Sequence, residues 1–176
     1  MKKLGFMLIC FLCVLLVACG NNDEATNESK PLITFLNETI TEKDAENAKV
    51  SDEETLEDAA NDLLFQEMLL AEAEKAGITY DEFTLDALVD QTHQIFEYDQ
   101  EAITFLTAKS KLYNITPKEY IDTIWKDGLR KKLIANNYLM EYVDLTEGPE
   151  SDIEAQVETI RTELLTKYED QIEFHF

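Results

Sequence analysis

Few side chains in this 176-residue sequence are placed for bond-making or proton-moving chemistry. The two histidines, His93 and His175, lie far apart and have no neighbours at ligand spacing. Neither a metal centre nor a nucleophile–histidine pair is indicated. Lys109-Ser110-Lys111 sets a serine between two amines, but adjacent residues of a helix do not face each other. Asp52-Glu53-Glu54 and Asp81-Glu82 fall where helices should start, and carboxylates there complement the helix dipole. No Asp-x-Asp-x-Asp-Gly calcium loop and no glycine-rich phosphate loop is present. The reading is of no catalytic residue, no metal ligand and no cofactor. Thiols remain: Cys10, Cys13 and Cys19, all in the first nineteen residues.

What precedes Cys19 decides its chemistry. Lys2 and Lys3 lead an uncharged run from Leu4 to Ala18, rich in Leu, Ile, Val and Phe. A short positive start followed by such a run is an export signal, whereas a membrane span needs roughly 20 apolar residues. The run closes on Leu16-Val17-Ala18-Cys19-Gly20, which resembles the bacterial lipobox. The resemblance implies that Cys19 takes a diacylglycerol through its sulfur, that residues 1–18 are cleaved as a lipoprotein signal peptide, and that the chain is held on the extracytoplasmic face of the bacterial cell membrane. Cleavage would remove Cys10 and Cys13, leaving no disulfide and no free thiol. The fold must then be held by its core.

Loss of Lys2 and Lys3 with the leader takes the formal charge from −22 to −24 over the 158 residues that remain. Such a chain repels nucleic-acid phosphate and anionic headgroups, so nucleic acid is excluded as a partner and lipid must supply the attachment. A chain of that length fits one domain with a real core. Five glycines and three prolines are too few for a β-sandwich, so the composition reads as helical.

Residues 19–31 carry almost no apolar side chain and read as a tether, spanning roughly 20 Å as a flexible coil. Residues 32–176 form the domain. A short strand is expected over 32–36, a turn at Asn37-Glu38 and a second extended piece at Thr39-Ile40. Thr41 caps a helix over 42–48. Ser51 with Glu54 reads as a capping box opening a helix to Ala76, with Leu56, Ala59, Ala60, Leu63, Leu64, Met68, Leu70 and Ala71 inward and Gly77 as its stop. A third helix, about 81–97, carries Phe83, Ala87, Leu88, Ile95 and Phe96, and a fourth spans about 99–113. Thr116-Pro117-Lys118-Glu119 opens the longest helix, to about Val143. After a loop at 144–150, Ser151 with Glu154 opens a helix striped by Ile153, Val157, Ile160, Leu164 and Tyr168. Residues 171–176 alternate polar and apolar, a strand with Phe174 and Phe176 on its buried face and His175 on its polar one. Its only good partner is 32–36, so the two ends of the domain should meet. The fold class expected is mainly α, with a small sheet joining the N- and C-terminal strands.

That layout resembles the chaperone domain of the SurA/PrsA family of extracytoplasmic foldases. Residues 33–44 look like its opening strand, turn, strand and capped helix, although Asn37-Glu38 lacks the usual glycine. Leu63 to Thr79, with its Ala-x-x-x-Gly-Ile ending, looks like the family's second helix. Tyr113 to Tyr120 and Leu129 to Ile134 look like the capped long helix, and Ile160 to Phe176 like the closing helix and strand. In the family a parvulin-type peptidyl-prolyl isomerase is usually inserted between those last two helices. Here only Asp144 to Glu150 lies between them, too short for a domain.

The resemblance implies a membrane-anchored, ATP-independent, non-enzymatic chaperone binding unfolded or exported polypeptides. The alternative is an adaptor lipoprotein docking one folded partner, and a second copy of the chain is a further possible partner. On the fourth helix Ala102, Ile103, Phe105, Leu106, Ala108, Leu112 and Tyr113 cover about 220° of arc, against the roughly 100° of a core stripe. The plainer reading is a helix buried by neighbours on several sides, and the sharper one is that one side lines a groove for unfolded chains. Phe83, Phe105, Leu112 and Trp125 are the candidate client-binding residues, each with a reading as ordinary core beside it.

Overall fold

The computed structural model describes residues 29–51, 53–144 and 150–176. Residues 1–28, Cys19 among them, Asp52 and residues 145–149 lie outside the described residues, as do the side chains of Glu150 and Ser151.

The chain opens as a hairpin, β1 (Pro31–Phe35) and β2 (Glu38–Thr41), antiparallel with Phe35 opposite Glu38. The turn is Leu36-Asn37, one residue earlier than Asn37-Glu38. Leu36 supplies the positive φ, +52°, that a glycine would adopt freely. For a leucine that conformation costs roughly 1–2 kcal/mol. It is held by tertiary structure, for Leu36 N–H reaches Gln171 O at 3.3 Å. β3 (Ile172–Phe174) lies antiparallel to β1 with Ile33 opposite Phe174 and Phe35 opposite Ile172. The sheet order is β2-β1-β3, and the ends meet as expected. The burial expected of β3 is corrected. Ile172 packs on the core, but Phe174 and Phe176 are 52% and 53% exposed. The cause is position: α2 covers β1 and β2, while β3 lies on the far side of β1. His175 is not simply solvated either, since its Nε2 lies 2.9 Å from Thr34 Oγ1.

Helix starts follow side chains that can hold orphan N–H groups. Thr41 and Asp44 form a reciprocal box that opens α1 (Glu42–Ala48). Helix α2 (Leu56–Ala76) starts five residues after the expected Ser51 cap. Thr55 and Asp58 make the box instead, and Glu54 accepts from Val50 N–H in the loop before it. Both Ser51-x-x-Glu54 and Thr55-x-x-Asp58 satisfy the pattern; the second adjoins the apolar run, and Val50 before it stays 82% exposed. Gly77, φ +69°, ends α2 as expected. Asp81 caps α3 (Glu82–Tyr98), and Asp99 both closes α3 and caps α4 (Gln100–Leu112). Thr116 and Glu119, with Pro117 at the first position, open α5 (Pro117–Tyr120). The helix then widens into one π turn, Ile121–Trp125, before α6 (Lys126–Tyr142). Helix α7 (Glu150–Tyr168) runs into a 3₁₀ turn ahead of β3.

The inner faces are partly as expected. In α2 the buried set is Ala59, Ala60, Leu64, Phe65, Met68, Leu69 and Ala73; the expected Leu56, Leu63 and Ala71 pack against the core half-buried, and Phe65, Leu69 and Ala73 join the stripe where Leu70 does not. In α3 the buried residues are Leu85 and Val89; Phe83, about 200° round the helix from Leu85, points outward. The α7 stripe is inward throughout, half-buried at Ile153, Val157 and Ile160 and buried at Leu164 and Tyr168.

The core is in two parts. One gathers the sheet, α1, α2, the later turns of α6 and α7. The other gathers Leu85, Val89, Leu106, Tyr120 and Ile121 from α3, α4, α5 and the π turn. They join at the C-terminal end of α1. There Tyr120 Oη donates to Asn47 Oδ1 at 2.6 Å, and the buried Lys109 ammonium donates to the Glu46 and Lys49 carbonyls. A cation on the last carbonyls of a helix satisfies acceptors the helix itself leaves open. Lys109→Met keeps the stem and deletes the donor, stranding those carbonyls. We expect it to cost about 2 kcal/mol in urea denaturation. A variant as stable as the parent would show that water replaces the cap.

Candidate binding surface

Around the axis of α4, at 100° per residue, Ala102, Ile103, Leu106, Lys109, Ser110 and Tyr113 fall within about 60° of Leu106. That is the inward face: Leu106, Lys109 and Ser110 are buried and the other three half-buried. The apolar arc is therefore not one surface. Ala102, Ile103, Leu106 and Tyr113 belong to the packed side, and Phe105, Ala108 and Leu112 form an outer shoulder. A buried lysine and a buried serine flank Leu106 on a face that apolar spacing alone would have filled with hydrocarbon.

The structure brings two of the four candidate residues together. Phe105, 37% exposed, meets Trp125 edge to face, ring centres 6.2 Å apart at 77°. The π turn carries Trp125 to α3, where its Nε1–H donates to Thr92 Oγ1 at 3.1 Å. Thr92 donates in turn to Leu88 O. The indole is thus fixed, and the part-exposed Phe105 stands against it. The Lys109 ammonium lies 5.4 Å from the Phe105 ring centre, the geometry of a cation–π contact. Leu112 sits elsewhere, half-buried in an open depression with Leu56, Glu42, Lys43 and Glu46. Phe83 is 82% exposed on the first turn of α3, nine residues and therefore about 13 Å of helix before Thr92. Both are separate from the aromatic pair.

A second feature was missed from the sequence. Helices α2, α6 and α7 enclose an open groove of about 190 Å³. Phe65, Leu69, Ala135 and Leu139 floor it, while Asp62, Lys132 and Arg161 are among its polar wall. Arg161 lays its guanidinium 4.4 Å from the Phe65 ring centre and pairs with Asp62 at 3.0 Å. The signal that could have found the floor is the pair of i, i+4 steps, 65 to 69 and 135 to 139, one position round from the stripe read along α2.

The titratable groups near these features are held by local partners or by burial. His93 Nε2 lies 2.7 Å from Asp122 Oδ1, joining α3 to the π turn. Burial, with the Asp44 charge adding to it, pushes the Tyr113 hydroxyl well above its ordinary range, so it stays neutral. Bonds from the Thr116 backbone and side chain hold Glu119 below the usual carboxylate range. Among the described residues no group of three or more His, Cys, Asp or Glu side chains could hold a metal ion, and no helix is long and apolar enough to cross a membrane. What the surface offers is part-exposed apolar side chains beside fixed polar groups. No family model, curated protein or solved structure matches the chain. The foldase likeness therefore rests on the residues and the order of elements given above.

Proposed function

We propose that this chain is a membrane-anchored lipoprotein that holds unfolded or newly exported polypeptides without nucleotide, cofactor or bond chemistry. The observation that carries this reading is Phe105, an aromatic ring held half-open on the fixed indole of Trp125. Apolar side chains kept rigid and exposed offer contact area at little ordering cost. The acidic exterior would keep complexes soluble. The lipobox and export leader support attachment through Cys19 on the outer face, and the order of elements supports the likeness to foldase chaperone domains. Seven residues between α6 and α7 leave no room for an isomerase domain, so no peptidyl-prolyl isomerase activity is expected.

The chain reconstituted in lipid nanodiscs is expected to slow aggregation of an unrelated unfolded protein, read by light scattering against empty discs. Phe105→Ser should weaken that protection while costing about 1–2 kcal/mol, less than a fully buried phenylalanine would, because the ring is already part-exposed. Leu112→Ser should cost stability and leave protection per folded molecule intact. Cys19→Ser should leave the chain exported but without lipid, by intact mass and membrane fractionation. Unchanged protection in Phe105→Ser would remove the nominated surface. A wild-type chain inert toward several clients, yet retaining one folded protein at one-to-one stoichiometry, would replace this reading with the adaptor.

A further inference from the structure

β3 is an outer strand, and among the described residues nothing pairs with its far side. Leu36 N–H bonds Gln171 O and His175 N–H bonds Leu32 O, so residues 171, 173 and 175 turn their backbone groups toward β1. Alternation along an antiparallel strand then turns the backbone groups of Ile172, Phe174 and Phe176 outward. Their side chains lie on the same face as Ile33 and Phe35, and Phe174 and Phe176 stack on each other with ring centres 6.0 Å apart. Half-exposed aromatics beside an open backbone edge are a template for another strand.

The sequence of this edge is complementary to itself. In a second copy laid antiparallel about residue 174, Phe174 faces the partner's Phe174 and Ile172 faces the partner's Phe176. Glu173 then faces the partner's His175, an acid against a base, twice by symmetry. Outward-facing backbone groups meet outward-facing ones along the whole overlap. Shifting the register by two residues in one direction sets Glu173 against the partner's Glu173, and in the other His175 against the partner's His175, like groups in both cases. A shift by one residue puts the aromatic face on the wrong side of the sheet. One register is therefore favoured over its neighbours.

We propose that β3 is a dimerisation edge, through which two copies form a continuous six-stranded sheet, β2-β1-β3-β3-β1-β2. The partner's Phe174 and Phe176 cover the stacked pair that each copy alone leaves half-open. The chain's net charge of −22 opposes association, but such repulsion is screened beyond about 8 Å at physiological ionic strength. Added salt should therefore strengthen the dimer, whereas it would weaken capture of a basic peptide on the same edge.

Cysteine scanning of the full-length chain in its own membrane tests this. In the proposed register the two copies of residue 174 form a hydrogen-bonded pair with Cα atoms about 5.5 Å apart, inside the range a disulfide spans. Under mild oxidation Phe174→Cys should give a linked dimer many-fold above the parent chain. Glu173→Cys alone should give little, but differently tagged Glu173→Cys and His175→Cys chains made together should link to each other. The mixed pair keeps both phenylalanines, so it reads the register even where Phe174→Cys folds poorly. Failure of both the Phe174→Cys and the mixed pairs to link overturns the proposal. So does Glu173→Cys linking to itself as readily as Phe174→Cys, which would mean random collision. Linkage of Phe174→Cys mainly to other polypeptides would assign the edge to clients instead of a second copy.

Discussion

Deleting residues 171–176 is expected to destabilise the whole domain by about 5 kcal/mol, from the accumulated loss of several backbone bonds at roughly 1 kcal/mol each. The bonds lost are Leu36 N–H to Gln171 O, His175 N–H to Leu32 O and those of the Thr34–Glu173 pair between them. The His175–Thr34 contact and the packing of Ile172 on the core go with them. Leu36 also loses the bond that holds it at positive φ, and β1, which carries the buried Ile33 and Phe35, becomes an open edge. Against a total stability of 5–15 kcal/mol this is a large fraction, worth on the order of 15 °C in melting temperature. Phe174 and Phe176 contribute the smaller share, because each is about half-exposed in the monomer. Phe174→Ser and Phe176→Ser should each cost under about 1 kcal/mol by the area they bury. A truncated chain melting within a degree or two of the parent would show that β3 is an appendage. Phenylalanine variants as damaging as the truncation would show that side-chain burial, not strand pairing, closes the sheet.

The difference between those variants marks where the sequence could be read and where it could not. Period-two alternation in 171–176 and one good partner strand were enough to place β3 against β1, because backbone pairing needs only a match of strands. How deeply each side chain is buried depends on what covers the sheet, and α2 covers β1 and β2. Nothing in residues 171–176 records that. The starts of α1 and α5 and the stop of α2 were legible for a related reason. Thr41, Thr116 with Pro117, and Gly77 act on backbone groups within a few residues of themselves. The start of α2 was misplaced because two boxes four residues apart compete and burial decides between them.

The candidate surface was harder to read, and Lys109 shows why. A lysine inside an apolar arc looks like the charged border of a helix, yet here it is buried because its ammonium finds the open carbonyls of α1, some sixty residues earlier in the chain. That partnership exists only after folding. It turns part of the expected client face inward and leaves Phe105 on the shoulder. The π turn is equally silent in the sequence, and it is what carries Trp125 to Thr92. The Thr123 hydroxyl, donating to Glu119 O at 2.5 Å, occupies a carbonyl at the point where the helix widens. Leu112 and Phe83 were drawn to the surface reading by residue type alone, and tertiary placement separates them from the aromatic pair.

Glu72→Gln should produce the other large effect, and its size should depend on pH. The Glu72 side chain is only 12% exposed between α2 and α7. Burial alone would raise its pKa, but hydrogen bonds from Lys167, Tyr168 and Lys75 outweigh that and hold the carboxyl at about 2, against an ordinary 4.5. Lys167 Nζ lies at 2.7 Å and Lys75 Nζ at 3.1 Å, and Lys75 also donates to Tyr168 Oη. A carboxyl whose folded pKa is depressed contributes stability that is fully present above its unfolded pKa and is lost as pH falls through the folded one. The contribution is therefore complete above pH 4.5, declines toward pH 2, and amounts to about 3 kcal/mol at neutrality. Glutamine keeps the shape and can still accept a bond, but it has no charge to set against two ammonium groups. We expect Glu72→Gln to fall below the parent by 2–3 kcal/mol at pH 7, a gap of about that size following from the same linkage. Urea titrations repeated at steps down to pH 2 should show the gap closing between 4.5 and 2, as the parent takes up the proton that the variant cannot. A gap that stays constant across that window would mean that Glu72 acts through shape and neutral hydrogen bonding. A gap that widens as pH falls would reverse the sign required of a carboxylate held ionised by its partners. Closure of the gap would identify the Glu72–Lys75–Lys167–Tyr168 cluster as the electrostatic bond fastening α7, and with it the strand that follows, to α2.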